Sequence, residues 1–202
     1  AERFGVDLVD RETLERELVR FGISESKVEQ YDEKKPGFWE LFSTDRDRYF
    51  HYLKRAVLDT ARRGNKLILG RGAPIILSHV PGVLHVGLVA PLDERVKRTM
   101  EEQGCNEEHA RRLIHESDHD RAGFYHAFFH VDWTAPEISD VTLNTARIDS
   151  DTVVHTIETL LHSPPLRDSE SASSKALTEL ATAQEILTRI LFTERVPLRF
   201  PE

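Results

Sequence analysis

Two short apolar runs, each ending where a helical pattern begins or the chain turns on glycine, constrain this sequence most. Residues 66–69 (KLIL) meet Gly70-Arg71-Gly72, and residues 83–90 (VLHVGLVA) lead straight into a charged helical pattern from Leu92. Short runs without polar alternation suit strands covered on both faces. Helical patterns of ten or more residues separate these runs, so successive strands are joined by crossovers and lie mainly parallel. The expected class is α/β, a mainly parallel sheet flanked by helices.

The remaining pattern agrees with that class. A strand at 5–9 precedes a helix at 10–21, capped by Asp10, with Leu14, Leu18 and Phe21 on one face and Gly22 as its stop. A short helix capped by Ser24 reaches about Tyr31, and the DEKKPG segment at 32–37 forces a loop. Tyr49, Tyr52, Leu53, Ala56, Val57 and Thr60 mark an amphipathic helix over 45–63. Further helices are expected at 92–103, at 106–130 behind an acidic N-terminus (Asn106, Glu107, Glu108), and at 151–161, with a strand at 138–143.

Three units follow: a domain over 1–161, a Ser- and Pro-rich linker over 162–174 (HSPPLRDSESASS), and a tail over 175–202. The tail holds a helix at 175–193 and a strand at 196–200. Its apolar face, Leu177, Leu180, Ile186, Leu187, Ile190 and Leu191, is expected to dock on the main body or on a second subunit, which would make a homo-oligomer.

Thirty-five acidic against twenty-seven basic residues leave a net charge of −8. That excess disfavours nonspecific nucleic-acid binding and requires any anion site to be local. The apolar stretches are too short and broken to cross a bilayer, no signal peptide opens the chain, and the single cysteine, Cys105, cannot form an internal disulfide. A cytoplasmic protein is expected.

Two sets of residues could carry chemistry. His115-Glu116-Ser117-Asp118-His119 matches H-E-x-x-H, which would set two imidazoles on one helical face for zinc. The extended zincin pattern fails, because Gly123 and His126 each fall one residue late, so a zinc hydrolase is only a remote alternative. The second set is arginines where strands end: Arg71 after one run, Arg95 and Arg98 after the other. Ligands of open parallel sheets bind there, and guanidinium groups clamp phosphate through paired, charge-assisted hydrogen bonds. Asp118 and Arg121 share a helical face at i, i+3 and could grip the same ligand. The expectation is a cationic hollow sized for a small organic anion.

The stretch 66–161 resembles the cytidylate-kinase-like family of nucleoside monophosphate kinases, which have the P-loop nucleotide-kinase fold. The likeness is carried by LILGRGAPIIL (67–77), HVGLVAPLDERVKR (85–98), SDHDR (117–121), HVDW (130–133) and SDVTLNT (139–145). The opening AERFGVDLVDRETLE (1–15) is similar to the segment that follows the family's phosphate loop, which extends the resemblance to 1–161. The resemblance implies transfer of the ATP γ-phosphoryl group to a pyrimidine monophosphate, CMP or UMP, with Mg²⁺. It implies that Arg71 contacts the acceptor phosphate, that Arg95 and Arg98 bracket the transferring group, and that Asp118 and Arg121 recognise the acceptor nucleotide. Asp10 and Arg11 would border that pocket. The lid arginine often found one turn before the Asp-x-x-Arg pair is replaced by Ile114.

No G-x-x-x-x-G-K-[ST] loop occurs in the sequence. The expectation is therefore a kinase-like fold without its first strand and phosphate loop. It is either part of a longer kinase or a noncatalytic nucleotide-binding or oligomerising module, and in either case poor at phosphoryl transfer by itself. The tail at 177–200 resembles the opening helix and strand of the BON domain. Phe124 and Phe128 are expected in the core, and Phe38, Trp39 and Phe42 as anchors between helices or as cover for an acceptor base.

Overall fold

The computed structural model describes residues 1–26, 28 and 43–192. The expected helix to Tyr31, the 32–37 loop, Phe38, Trp39, Phe42 and the 196–200 strand lie largely or wholly outside them.

A 3₁₀ turn, Glu2–Phe4, leads into strand β1, Asp7–Val9, and helix α1, Arg11–Arg20. Helix α2, Ser43–Arg62, returns the chain to β2, Lys66–Ile68, which pairs with β1 in parallel, Leu8 opposite Leu67. A one-turn helix α3, Ala73–Ile76, carries Pro74 in its first turn, where the missing N–H costs nothing. Strand β3, Val86–Val89, then α4, Leu92–Gln103, and α5, Glu107–Phe129, lead to β4, Val141–Asn144, which lies parallel to β3. Helices α6, Ser150–Leu161, α7, Pro164–Arg167, and α8, Glu170–Phe192, complete the described chain. The α/β class and the parallel pairing are as expected.

The main core forms around α2, whose Tyr49, Tyr52, Leu53, Ala56 and Val57 are all almost fully buried. They meet Leu14 and Leu18 of α1, Phe124, Tyr125 and Phe128 of α5, and Leu177 and Ala181 of α8 in one cluster. Each large aliphatic or Phe side chain of the cluster contributes roughly 1.5–3 kcal/mol by leaving water, so α2 is the element that fastens the others. A second, smaller cluster of Val96, Ala110 and Ile114, with Met100 and Cys105 against it, joins α4 to α5. Ile114 is thus a packing residue of the α4–α5 hairpin, which explains why no arginine stands there.

Three expectations are corrected. The strands are not covered on both faces: Leu67 is 39% and Leu88 59% exposed, with Leu8, Leu69 and Val89 also open. The described strands form two separate two-stranded pairs, β1–β2 and β3–β4, and helices do not cover both faces of sheets this narrow. The segment 162–174 is not an irregular linker, since α7 occupies Pro164–Arg167 and α8 begins at Glu170. Pro164 and Pro165 sit in the first turn of α7, where proline is tolerated.

The docking face of α8 also differs from the leucine-rich stripe. Leu177, Ala181, Gln184 and Thr188 are buried, whereas Leu180, Ile186, Leu187 and Leu191 stay 39–53% exposed. Helix α8 packs along α2, and close approach favours smaller side chains. The Gln184 amide donates to the His51 carbonyl at 2.9 Å, and the Thr188 hydroxyl donates to its own helix at Gln184 O, also at 2.9 Å. Gln184 and Thr188 can therefore occupy the interface with these groups hydrogen-bonded.

Candidate functional site

The candidate residues lie at the carboxyl ends of the strands and on the α4–α5 hairpin. At the end of β2, Gly70, Arg71 and Gly72 all have left-handed backbone, with φ of 73°, 53° and 71°. Glycine adopts this freely, while Arg71 pays on the order of 1–3 kcal/mol for it. Surrounding contacts hold the turn. A Cβ on Gly72 would stand 2.1 Å from the Phe129 ring. Burial raises the Tyr125 pKa, so the phenol stays protonated.

The turn aims Arg71 at α1. Its Nη2 donates to Glu15 Oε1 at 2.9 Å, its side chain is only 14% exposed, and its guanidinium lies 5.9 Å from the centre of the Phe124 ring. Arg11 donates to the same Glu15 oxygen at 2.8 Å. Arg71 and Arg11 therefore converge on one carboxylate. Asp10 beside them caps α1, accepting from the Thr13 N–H at 2.9 Å and the Thr13 hydroxyl at 2.7 Å. These hydrogen bonds lower its pKa, so Asp10 serves the helix terminus in the way its sequence position implied.

On the hairpin, Arg95 of α4 grips Asp118 of α5 with both terminal nitrogens, at 2.8 and 2.7 Å. That hydrogen bonding raises the Arg95 pKa. Arg121, one turn beyond Asp118, stands 3.7 Å from the same carboxylate and lies over the Trp133 ring, 4.7 Å from its centre. Arg98, one turn after Arg95, reaches the end of β4, donating to Thr145 Oγ1 at 2.9 Å and to the Thr145 carbonyl at 2.6 Å. Thr145 in turn donates its N–H to Val89 O at 2.9 Å, which joins the ends of β3 and β4.

The structure thus arranges the candidates in three groups: Arg11 and Arg71 on Glu15, Arg95 and Arg121 on Asp118, and Arg98 on Thr145. Helix α5 connects the first two, because Phe124 and Tyr125 touch the Arg71 turn one helical turn after Arg121. None of these arginines lines the groove found among the described residues. That groove, of about 360 Å³, lies elsewhere, between α2, α3, α5 and α8, with Phe50, Lys54, Ile75 and Leu187 among its lining residues. Sequence reasoning missed Glu15, Thr145 and Trp133. Glu15 could have been found as the i, i+4 partner of Arg11; Thr145 and Trp133 carried no signal beyond their place in the conspicuous segments.

The other candidate set does not assemble. His115 and His119 stack their rings 6.3 Å apart on an exposed face of α5. Among the described residues no group of three or more His, Cys, Asp and Glu side chains is placed to hold a metal. Arg111 pairs with Glu107 and Asp93, while Arg112 meets His109, so neither takes the place of a lid arginine facing Asp118. No described helix is long and apolar enough to cross a membrane. The forked guanidinium groups suit phosphate oxygens.

A model of the cytidylate kinase-like family matches residues 1–147. Among curated proteins, the chain is 31% identical over 107 residues to a cytidylate kinase of Methanopyrus kandleri, covering 49% of this chain and 55% of that protein. It is 32% identical over 109 residues to a cytidylate kinase of Ignicoccus hospitalis, covering 54% and 63%. It also matches a uronate isomerase of Corynebacterium glutamicum at 31% over 113 residues, 55% of this chain but 22% of that protein. The chain spans less than two thirds of each of these relatives. An uncharacterized protein from Eubacterium ventriosum shares the fold, with a TM-score of 0.60 and 19% identity over 80% of this chain and 86% of the other.

Proposed function

Because the chain belongs to the cytidylate kinase-like family, we propose that its arginines bind the phosphate of a pyrimidine nucleoside monophosphate, the acceptor side of a phosphotransferase. The observation that carries this reading is the Arg95–Asp118–Arg121 cluster with Arg98 beside it. Three guanidinium groups gather on one hairpin, with Arg98 at the end of β4, in a chain of net charge −8. Gathering cations locally against an acidic background requires a use, and phosphoryl groups match both their charge and their forked geometry.

In this reading Arg71, preset by its left-handed turn, holds the acceptor phosphate, with Arg11 and Asp10 at the edge of that pocket. Arg95 and Arg98 stand where charge develops during transfer and offset it electrostatically, and Arg121 supports the acceptor nucleotide. In the family, ATP supplies the phosphoryl group and Mg²⁺ neutralises its charge. The described residues supply the acceptor arginines. A P-loop nucleotide-kinase sheet would contain both parallel pairs, β1–β2 and β3–β4.

The test is calorimetric binding of CMP, UMP and ATP to the chain and to Arg71→Ala. Weak monophosphate binding that disappears in the variant is expected, with no measurable ATP binding. Equal CMP affinity in both proteins overturns the role of Arg71, and absence of monophosphate binding to the unaltered chain overturns the reading as a whole.

A further inference from the structure

Resting on that reading of the arginines, we propose that Asp118 is a built-in substitute for phosphate, a positioning residue that holds Arg95 and Arg121 in place and is displaced when a phosphate dianion enters. The resemblance alone would make Asp118 a ligand of the acceptor nucleotide. The geometry gives it another task. Both terminal nitrogens of Arg95 donate to its two oxygens at 2.8 and 2.7 Å, the paired arrangement that a phosphate receives from arginine. The fork takes one lone pair on each oxygen, so a sugar hydroxyl would meet a carboxylate that Arg95 already engages at both atoms.

Charge shows why the arrangement is exchangeable. Two guanidinium groups, one from each arm of the hairpin, face a single carboxylate, which leaves one formal positive charge unbalanced. Arg121 lies 3.7 Å away, beyond hydrogen-bonding distance, so its fork is not saturated by Asp118. A phosphate monoester brings nearly two negative charges and three acceptor oxygens, enough for both groups. Burial does not lock the pair, since the Arg95 side chain is 32% and the Asp118 side chain 30% exposed, and water-accessible ion pairs are worth little. Exchange requires only a rotamer change of Asp118 on a helix that stays in place, because the apolar cluster of Val96, Ala110 and Ile114 fixes α4 against α5.

Two properties follow. Until it is displaced, Asp118 keeps the arginine forks oriented and prevents mutual repulsion from spreading them. It also lowers apparent affinity by competing for Arg95, in the way that any partly populated binding-competent state does. Competition of this kind favours dianionic phosphate groups over monoanions, which bring no more charge than the carboxylate they would replace.

The experiment is titration of inorganic phosphate into the full chain at low ionic strength, comparing the unaltered protein with Asp118→Asn and Asp120→Asn. Asp120 is exposed, two residues away, and removes the same charge without touching Arg95, so it reports the general electrostatic effect. Thermal unfolding of each protein verifies that all three are folded. Asp118→Asn is expected to bind phosphate about fivefold more tightly, the factor equivalent to an ion pair of about 1 kcal/mol, and Asp120→Asn to change affinity less than about twofold. Equal or weaker binding by Asp118→Asn, with the unaltered chain still binding, overturns the substitute role while the phosphate site stands. Equal tightening by both variants reduces the effect to net charge and also overturns the proposal. Absence of phosphate binding in all three overturns the proposal together with the functional reading beneath it.

Discussion

Gly72→Ala is the substitution whose consequence is most fully determined by the structure. Gly72 has φ of 71°, and its absent Cβ would lie 2.1 and 2.3 Å from Phe129 Cζ and Cε2. The left-handed backbone alone costs an alanine about 1–2 kcal/mol. The ring cannot retreat freely, because it packs edge-on against Phe50 at 5.3 Å and near Tyr125 at 5.8 Å. Forcing it aside adds about 1–3 kcal/mol of overpacking. The expected loss is about 3 kcal/mol, which for a chain of this size lowers Tm by about 10 °C. Urea and thermal unfolding measure it. A double-mutant cycle with Phe129→Ala separates the two contributions: the steric part disappears in the double variant and the backbone part remains, giving a coupling of about 1–3 kcal/mol. A Gly72→Ala protein within about 0.5 kcal/mol of the unaltered chain, or a coupling of zero, would refute the close packing of the Arg71 turn on α5.

Other predictions test the packing and the charges. Leu177→Ala is expected to cost about 2–4 kcal/mol and Ile186→Ala under about 0.5 in denaturant melts, because only the first is buried against α2; the reverse order would restore the leucine-rich stripe as the docking face. Glu17→Gln should destabilise by about 1–2 kcal/mol, since Arg63 reaches both Glu17 oxygens at 3.2 and 3.3 Å and Arg20 adds a contact at 2.9 Å. Burial pushes the Glu17 pKa up, but the Arg63 hydrogen bonds and the charges of Arg63 and Arg20 outweigh it, and the net shift is downward from 4.5. Its contribution is therefore complete above about pH 4.5 and is lost as pH falls through the lower folded value. The stability difference between Glu17→Gln and the unaltered chain should shrink on acidification below pH 4.5, and a difference that is constant from neutral to strongly acidic pH would contradict the pairing.

Legibility in the sequence followed the range of the interactions. Asp10 caps α1 as expected, because a cap depends on residues three positions away. Phe124 and Phe128 are core, as helical spacing indicated. The partners that arginines find far along the chain were not legible. Glu15 meets Arg71 across 56 positions, Asp118 meets Arg95 across 23, and Thr145 meets Arg98 across 47. No local pattern selects which carboxylate or hydroxyl a guanidinium will find at such separations. The strands misled for a related reason: an apolar run records a tendency to be covered, and it carries no information about how many neighbouring strands are present.

Local chemistry, written in order along the chain, determined the elements: which segments coil or extend, where they stop on glycine, and that cations gather near the strand ends. Residue order alone settles these matters because turns, caps and helical faces join neighbours. Tertiary structure alone decided that α8 lies on α2 through Ala181 and Thr188, that Phe129 fills the space a Gly72 side chain would need, and that a carboxylate sits in the Arg95 fork. Those outcomes depend on distances between residues far apart in the chain, which exist only once α2 and the α4–α5 hairpin have packed.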